Sequence, residues 1–422
     1  MHCYRIAILA ILIGSYLLEL LVEKLNLRSM TTELPEEFAG YYDPDRYRQS
    51  QRYLVENTRF GLVHSSVVTP VLVAFILFGG FNHVDRFARS LGLDGIWTGL
   101  VFTGVLLAAF QLIQLPFSIY DTFVIEEKYG FNRTTPGTFA LDVVKSWLLV
   151  GLLGGAALYG IIWFFESGGR WAWLYCWIGV TALQLLLAFV APVVLMPVFN
   201  KYTPLQKEDL REEIEAYARS ENFRMKGVYQ MDGSRRSSKA NAFFSGFGRF
   251  RRIVLFDTLI EKHTTPELVS ILAHEMGHYR KGHIWKSMAL AVGTFGLLFY
   301  LLSLFIDNRQ LSEAFRMEET SVYASLVFFG FLYGPIDTIL STAAGALSRR
   351  NEFAADAYAA ETTGNPSAMI EALKKLSVDN LANLTPHPLK VFLSYSHPPV
   401  LERIRAIRAA APGPGPIGKE GP

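Results

Sequence analysis

The sequence predicts an α-helical integral membrane protein with about seven transmembrane helices and a mainly helical domain outside the bilayer carrying a small β-hairpin or sheet. Three observations lead there. Of 422 residues, 51% are hydrophobic and the mean hydropathy is +0.24, more apolar than soluble globular chains usually are. The apolar residues are bunched into runs at 6–22, 61–81, 96–117, 143–165, 172–198, 284–306 and 321–347, each near the ~20 residues a helix needs to cross a bilayer. Between the fifth and sixth runs lies a polar stretch holding His274-Glu275-Met276-Gly277-His278, a spacing suited to a metal.

Trp97, Trp147, Trp163, Trp171, Trp173 and Trp285 fall near run ends, as an interfacial belt requires. Seven such runs argue against the buried core helices of a large soluble protein. The first run could be a cleaved leader, but it contains Glu19, is followed by Glu23 and Lys24, and shows no small-x-small cleavage site, so an uncleaved helix is expected. Seven crossings put 24–59, 120–145, 200–283 and the chain after 347 on one side. That side carries most of the Lys and Arg, which makes it cytoplasmic. The implied organisation is a five-helix membrane region (1–199), a first catalytic part with the edge strand and metal helix (200–283), helices six and seven (284–347), a second catalytic part (348–410) and a disordered Pro/Gly tail (411–422). The formal charge of +2 adds nothing here, and no basic, aromatic-interleaved patch suggests nucleic acid, so no nucleic-acid partner is expected. Cys3 and Cys176 form neither a disulfide framework nor a metal spacing.

Residues four apart on a helix share a face, so His274 and His278 can reach one zinc ion, and Glu275 beside it can take a proton from the attacking water. A catalytic zinc has three protein ligands and an open position. His283 does not fit the extended H-E-x-x-H-x-x-G-x-x-H pattern, because Lys281 and Ile284 stand where Gly and His belong; it is expected at the surface or an interface. The better candidate is Glu352, with Asp356 one turn on as partner to a ligand histidine; from spacing alone, a solvated acidic pair beside Arg349 and Arg350 is an equal alternative. Residues 251–256 read as a strand, and Ala240-Asn241-Ala242-Phe243-Phe244-Ser245 as another ending at Gly246-Phe247-Gly248. Paired as a hairpin, they leave an edge to which a peptide can add, although an ordinary edge strand reads the same way. His397, held before Pro398 and Pro399, is either a donor to an oxyanion or a helix-start residue.

Eight ordered stretches resemble the integral-membrane CAAX prenyl proteases: 123–132, 201–205, 232–238, Asn241-Ala242-Phe243-Phe244, 253–259, 274–278, Asn351-Glu352-Phe353-Ala354-Ala355-Asp356 and 394–399. The resemblance implies one zinc per chain held by His274, His278 and Glu352, with Glu275 as base. It makes Asn241, His397 and Arg403 contacts to substrate or transition state, and Ala242, Phe243 and Phe244 the strand along which substrate lies. It also implies a ring of seven tilted helices around a water-filled chamber, capped by the metalloprotease domain. Glu19, His64, Gln111, Gln114 and Asp337 inside apolar runs fit that picture, since lone polar groups in a bilayer need water or a protein partner. The expected activity is zinc-dependent peptide hydrolysis at a membrane, on a peptide or lipidated peptide, with membrane lipids as further partners; the sequence leaves the oligomeric state open. The alternatives are a transporter or scaffold with a structural zinc, which has no use for Glu275. The short 307–320 connection and a C-terminus without a retrieval signal point to a bacterial inner membrane with the site cytoplasmic, or to the endoplasmic reticulum in a eukaryote.

Overall fold

The structure is a computed structural model that describes residues 3–245 and 252–410. The Gly246-Phe247-Gly248 turn and the 411–422 tail lie outside the described residues. Seven helices are long and apolar enough to span a membrane: Cys3–Arg28, Pro44–Leu77, Gly95–Glu126, Pro136–Ser167, Gly169–Phe199, His283–Ser303 and Val322–Thr363. Each contains or overlaps one of the apolar runs, with two differences. The second run is continuous to 81 in hydropathy, but the helix closes at Leu77 and Phe81 belongs to a separate helix, Gly80–Ser90. The Gly79-Gly80 pair makes the break, glycine being the residue least held in a helix. The acidic pair does not sit on a separate helix after the seventh span, as the sequence suggests, because Val322–Thr363 is one unbroken helix of 42 residues. Nothing in its Ala-rich second half breaks a helix until Gly364-Asn365-Pro366.

The chain folds as two compact units, each assembled from three stretches. The first comprises Met1–Leu27, Val55–Val190 and Met288–Thr342. Its interior is aromatic: Phe315 stacks on Phe328 with centroids 3.9 Å apart, and Phe81 meets both edge-on. Most span residues are not buried, and Leu17, Leu112, Ile178 and Ile339 present bare apolar side chains. Such a surface is stable only against lipid. On the same helices Glu19 accepts a hydrogen bond from Ser65, Tyr16 pairs with Ser66, and His64 pairs with Gln114.

The second unit comprises Arg28–Leu54, Ala191–Ser287 and Ala343–Pro422. It holds a four-stranded mixed sheet of β1 (Tyr202–Pro204), β2 (Gly227–Met231), β3 (Ala242–Ser245) and β4 (Arg252–Phe256), in the order β1-β2-β4-β3. The apolar run Ile253-Val254-Leu255 is buried because β4 is central, parallel to β2 on one side and antiparallel to β3 on the other. The β3–β4 hairpin is the one expected from the sequence, and β3 is the sheet's edge. The parallel partner β2 is not foreseen there, since its register is set by contacts with no local sequence signal.

Candidate active site and metal centre

The helix Thr265–Arg280 carries the metal motif. Pro266 sits in its first turn, where a missing N–H costs nothing. Glu267 accepts the Thr264 backbone N–H at 3.0 Å and the Lys375 ammonium at 2.7 Å, which pins that end. Leu268, Leu272, Ala273 and Met276 are fully buried and anchor the helix. Gly277 decides what can stand opposite. A Cβ there would lie 3.1 Å from the Ala355 Cα and 3.2 Å from the Ala355 carbonyl oxygen, so the helix carrying Glu352 approaches backbone to backbone.

That approach brings the predicted ligand atoms together. His274, His278 and Glu352 each offer one atom within 4.8 Å of the others. His274 Nε2 is 3.1 Å from His278 Nε2 and 3.4 Å from Glu352 Oε2, and His278 Nε2 is 3.2 Å from Glu352 Oε1. Asp356 Oδ1 lies 2.8 Å from His274 Nδ1, so the acidic pair is no solvated face: both carboxylates are buried. Glu352 Oε2 is buried and has no hydrogen-bond partner. Its near neighbours, His274 Nε2 at 3.4 Å and Arg403 Nη1 at 3.5 Å, stand at ion-pair rather than close hydrogen-bond distance, which leaves this buried oxygen able to accept a cation. The donor set of two neutral nitrogens and a carboxylate suits zinc.

The electrostatics agree. Burial works against a charge on His274, yet its contacts with Asp356 and Glu352 overcome this and push its pKa up to about 9. The two carboxylates thus favour a positive charge at this position. Burial raises Glu275 above its ordinary value, favouring proton uptake. Burial likewise opposes the charge on Arg403, but its bonds to Asp356 outweigh it and the guanidinium stays cationic.

A cavity of about 310 Å³ opens beside these groups, lined by Ala240, Asn241 and Ala242 as well as His274, Glu275, Glu352, His397 and Arg403. The edge strand therefore runs to the candidate metal position, with Phe243 packed edge-on against Phe256. The Phe244 side chain lies outside what the structure describes. His397 is exposed, with Nε2 3.4 Å from Glu352 Oε1. Arg403 is nearly buried and grips Asp356 with two bonds, Nε to Oδ2 at 2.8 Å and Nη2 to Oδ1 at 2.6 Å, leaving Nη1 3.5 Å from Glu352. Two of its three nitrogens thus serve the carboxylate behind His274.

Two features escape the sequence. Met369, Ala372, Leu373 and Leu376 of the helix Pro366–Asp379 form an apolar wall of the cavity; their helical spacing marks a buried face, but nothing says against what. His283, expected at the surface or an interface, is buried, with Nδ1 3.0 Å from His278 Nδ1. The motif helix ends at Arg280 and Gly282 takes a φ of +67°, folding the next residue back onto the ligand. An argument from ligand spacing along one helix does not see such a reversal.

Comparison with known proteins resolves the family. A family model described as CAAX prenyl protease N-terminal, five membrane helices, matches residues 24–201, and one described as Peptidase family M48 matches residues 204–411. The chain belongs to the M48 CAAX prenyl proteases. A CAAX prenyl protease 1 homolog from Oryza sativa subsp. japonica is 34% identical over 416 residues, 96% of this chain and 98% of that protein. One from Arabidopsis thaliana is 35% identical over 396 residues, 91% and 93% of the two chains. The crystal structure of S. mikatae Ste24p superposes with a TM-score of 0.91 at 28% identity, covering 96% of this chain and 99% of that one. The M48 family is zinc-dependent, and the His274, His278 and Glu352 cluster can accept the ion. The protein is therefore a multi-pass membrane zinc metalloprotease.

Proposed function

We propose that this protease cleaves the C-terminal tripeptide of CAAX-type lipidated peptides, with His274, His278 and Glu352 holding the zinc. The relatives' names support the substrate class; the convergence of the buried Glu352 carboxylate on two imidazoles, with no hydrogen bond to Oε2, supports the site. Bound there, zinc would polarise the scissile carbonyl and acidify a water molecule. Glu275 takes the proton of the attacking water and passes it to the leaving amine. Asp356 holds His274 with Nε2 toward the metal position. His397, at the cavity mouth, donates to the carbonyl oxygen as it becomes negative. Arg403 steadies Asp356 and adds positive charge beside the same oxygen. The peptide pairs with the β3 edge along Asn241, Ala242, Phe243 and Phe244, its side chains against the Met369–Leu376 wall.

The excess of Lys and Arg on the site's side supports a cytoplasmic catalytic face. The expectation of a bacterial inner membrane rests on the short 307–320 connection alone, whereas the curated relatives named above are plant proteins. Exposed polar groups within the spans, Glu19, Gln111 and Asp337, support an aqueous interior that would admit a peptide.

The deciding experiment compares purified wild type with Glu275→Gln. Zinc near one per chain in both, with cleavage of a farnesylated CAAX peptide lost only in the variant by ~10²–10⁴-fold, is expected. Equal cleavage by the variant would remove Glu275 as base. An unprenylated twin cleaved as fast would reject lipid recognition.

A further inference from the structure

His283 stands outside the ligand set, yet it is only 4% exposed and its ring meets His278 edge-to-face, with centroids 5.1 Å apart and planes inclined by 72°. The contact is atom-specific: His283 Nδ1 to His278 Nδ1, 3.0 Å. On the other side of that ring, His278 Nε2 faces Glu352 and His274, so Nε2 is the atom turned to the metal position and Nδ1 is the one left over. A neutral imidazole that gives its Nε2 lone pair to a metal carries its proton on Nδ1 and needs an acceptor there. For His274 that acceptor is Asp356, at 2.8 Å. For His278 the atom in place is His283 Nδ1.

We infer that His283 is a positioning residue for His278: its Nδ1 lone pair accepts the His278 Nδ1–H and so fixes both the tautomer and the plane of the ligand ring. The inference rests on the reading of His278 as a ligand. The acceptor role puts the His283 proton on Nε2. It also makes the two ligand imidazoles unequal, one backed by an anionic carboxylate and the other by a neutral ring. The Lys281-Gly282 turn thereby becomes part of the metal centre, since its conformation sets where His283 points.

The test uses full-length protein in detergent carrying His283→Asn or His283→Phe. Asparagine offers an oxygen about where Nδ1 sits, whereas phenylalanine keeps the ring shape and removes the acceptor. Zinc affinity, from competition with a calibrated chelator, and the melting temperature of each chelator-stripped protein are read beside wild type and His278→Ala. His283→Phe should bind zinc ~10–100-fold more weakly, His283→Asn should stay within a few-fold of wild type, and the stripped proteins should melt together. Wild-type affinity in His283→Phe, or equal losses in the two variants, would overturn the inference. A stripped His283→Phe that melts well below stripped wild type, with no rescue by His283→Asn, would assign the residue to packing and overturn it as well. Undiminished zinc affinity in His278→Ala would instead bring down the ligand assignment beneath it.

Discussion

Glu352 and Asp356 sit one helical turn apart and have the same chemistry, yet their surroundings give them different work. Glu352 sets Oε2 beside His274 and Oε1 beside His278, with no hydrogen bond to Oε2, whereas both Asp356 oxygens are taken, by His274 and by the Arg403 fork. Asp356→Asn should therefore weaken zinc binding by ~10–100-fold without abolishing it, as measured by chelator competition. His397→Ala belongs to a different class of defect. Its imidazole is exposed at the cavity, and if it donates to the reacting oxygen as proposed, turnover should fall ~10²–10³-fold at full zinc content; a proportionate loss of zinc would exclude that role. Spacing on one helix makes His274, Glu275 and His278 legible in the sequence. It leaves Glu352 level with a solvated pair, because a ligand from a distant helix carries no local mark until the approach of two backbones is known.

That approach is a property of elements. The motif helix and the Val322–Thr363 helix meet where Gly277 faces Ala355, and a side chain there would need the space the backbone already fills. Gly277→Val should force the two apart and loosen zinc binding and activity together, with stability down by ~1–3 kcal/mol in chemical denaturation. Unchanged zinc affinity would show that the helices have room to spare. The edge strand offers a second test. Asn241 carbonyl accepts the Phe256 N–H, so in an antiparallel ladder the next residue, Ala242, turns its backbone groups away from β4, where its N–H donates to Asn241 Oδ1 at 2.8 Å. An added strand would take that donor from the Asn241 side chain, and Ala242→Pro removes it while sparing the β3–β4 pairing. It should cut kcat/KM by ~10-fold or more at normal zinc content, and a wild-type value would argue against strand addition by substrate. Hairpin and edge are readable from alternation and glycine turns. The extent of the Val322–Thr363 helix is not, because hydropathy falls near Leu347 while helix propensity does not.

At the scale of the whole molecule, the seven spans combine bare apolar side chains with exposed Glu19, Gln111 and Asp337. A carboxylate facing lipid costs ~2.5 kcal/mol or more, so polar and apolar exposed faces should look onto different media. In a background lacking Cys3 and Cys176, Asp337→Cys should react with a water-soluble thiol reagent, while Ile339→Cys, two residues along the same helix, should not. Equal protection of both would count against a water-filled interior among the spans.

By itself the sequence determined the membrane class, the number of spans, the His274–His278 motif, the edge strand and, through family resemblance, the glutamate that meets the two histidines. These properties rest on local period and composition, where side-chain spacing along one helix or strand is enough. Only the tertiary structure decided that Arg403 serves Asp356, that the 366–379 helix walls the cavity, that β4 pairs in parallel with β2, and that His283 closes on His278. Each of these joins groups across a chain reversal or between separate elements. Their geometry is set by how closely backbones pack and where one positive φ turns the chain, and neither is encoded in a run of neighbouring residues.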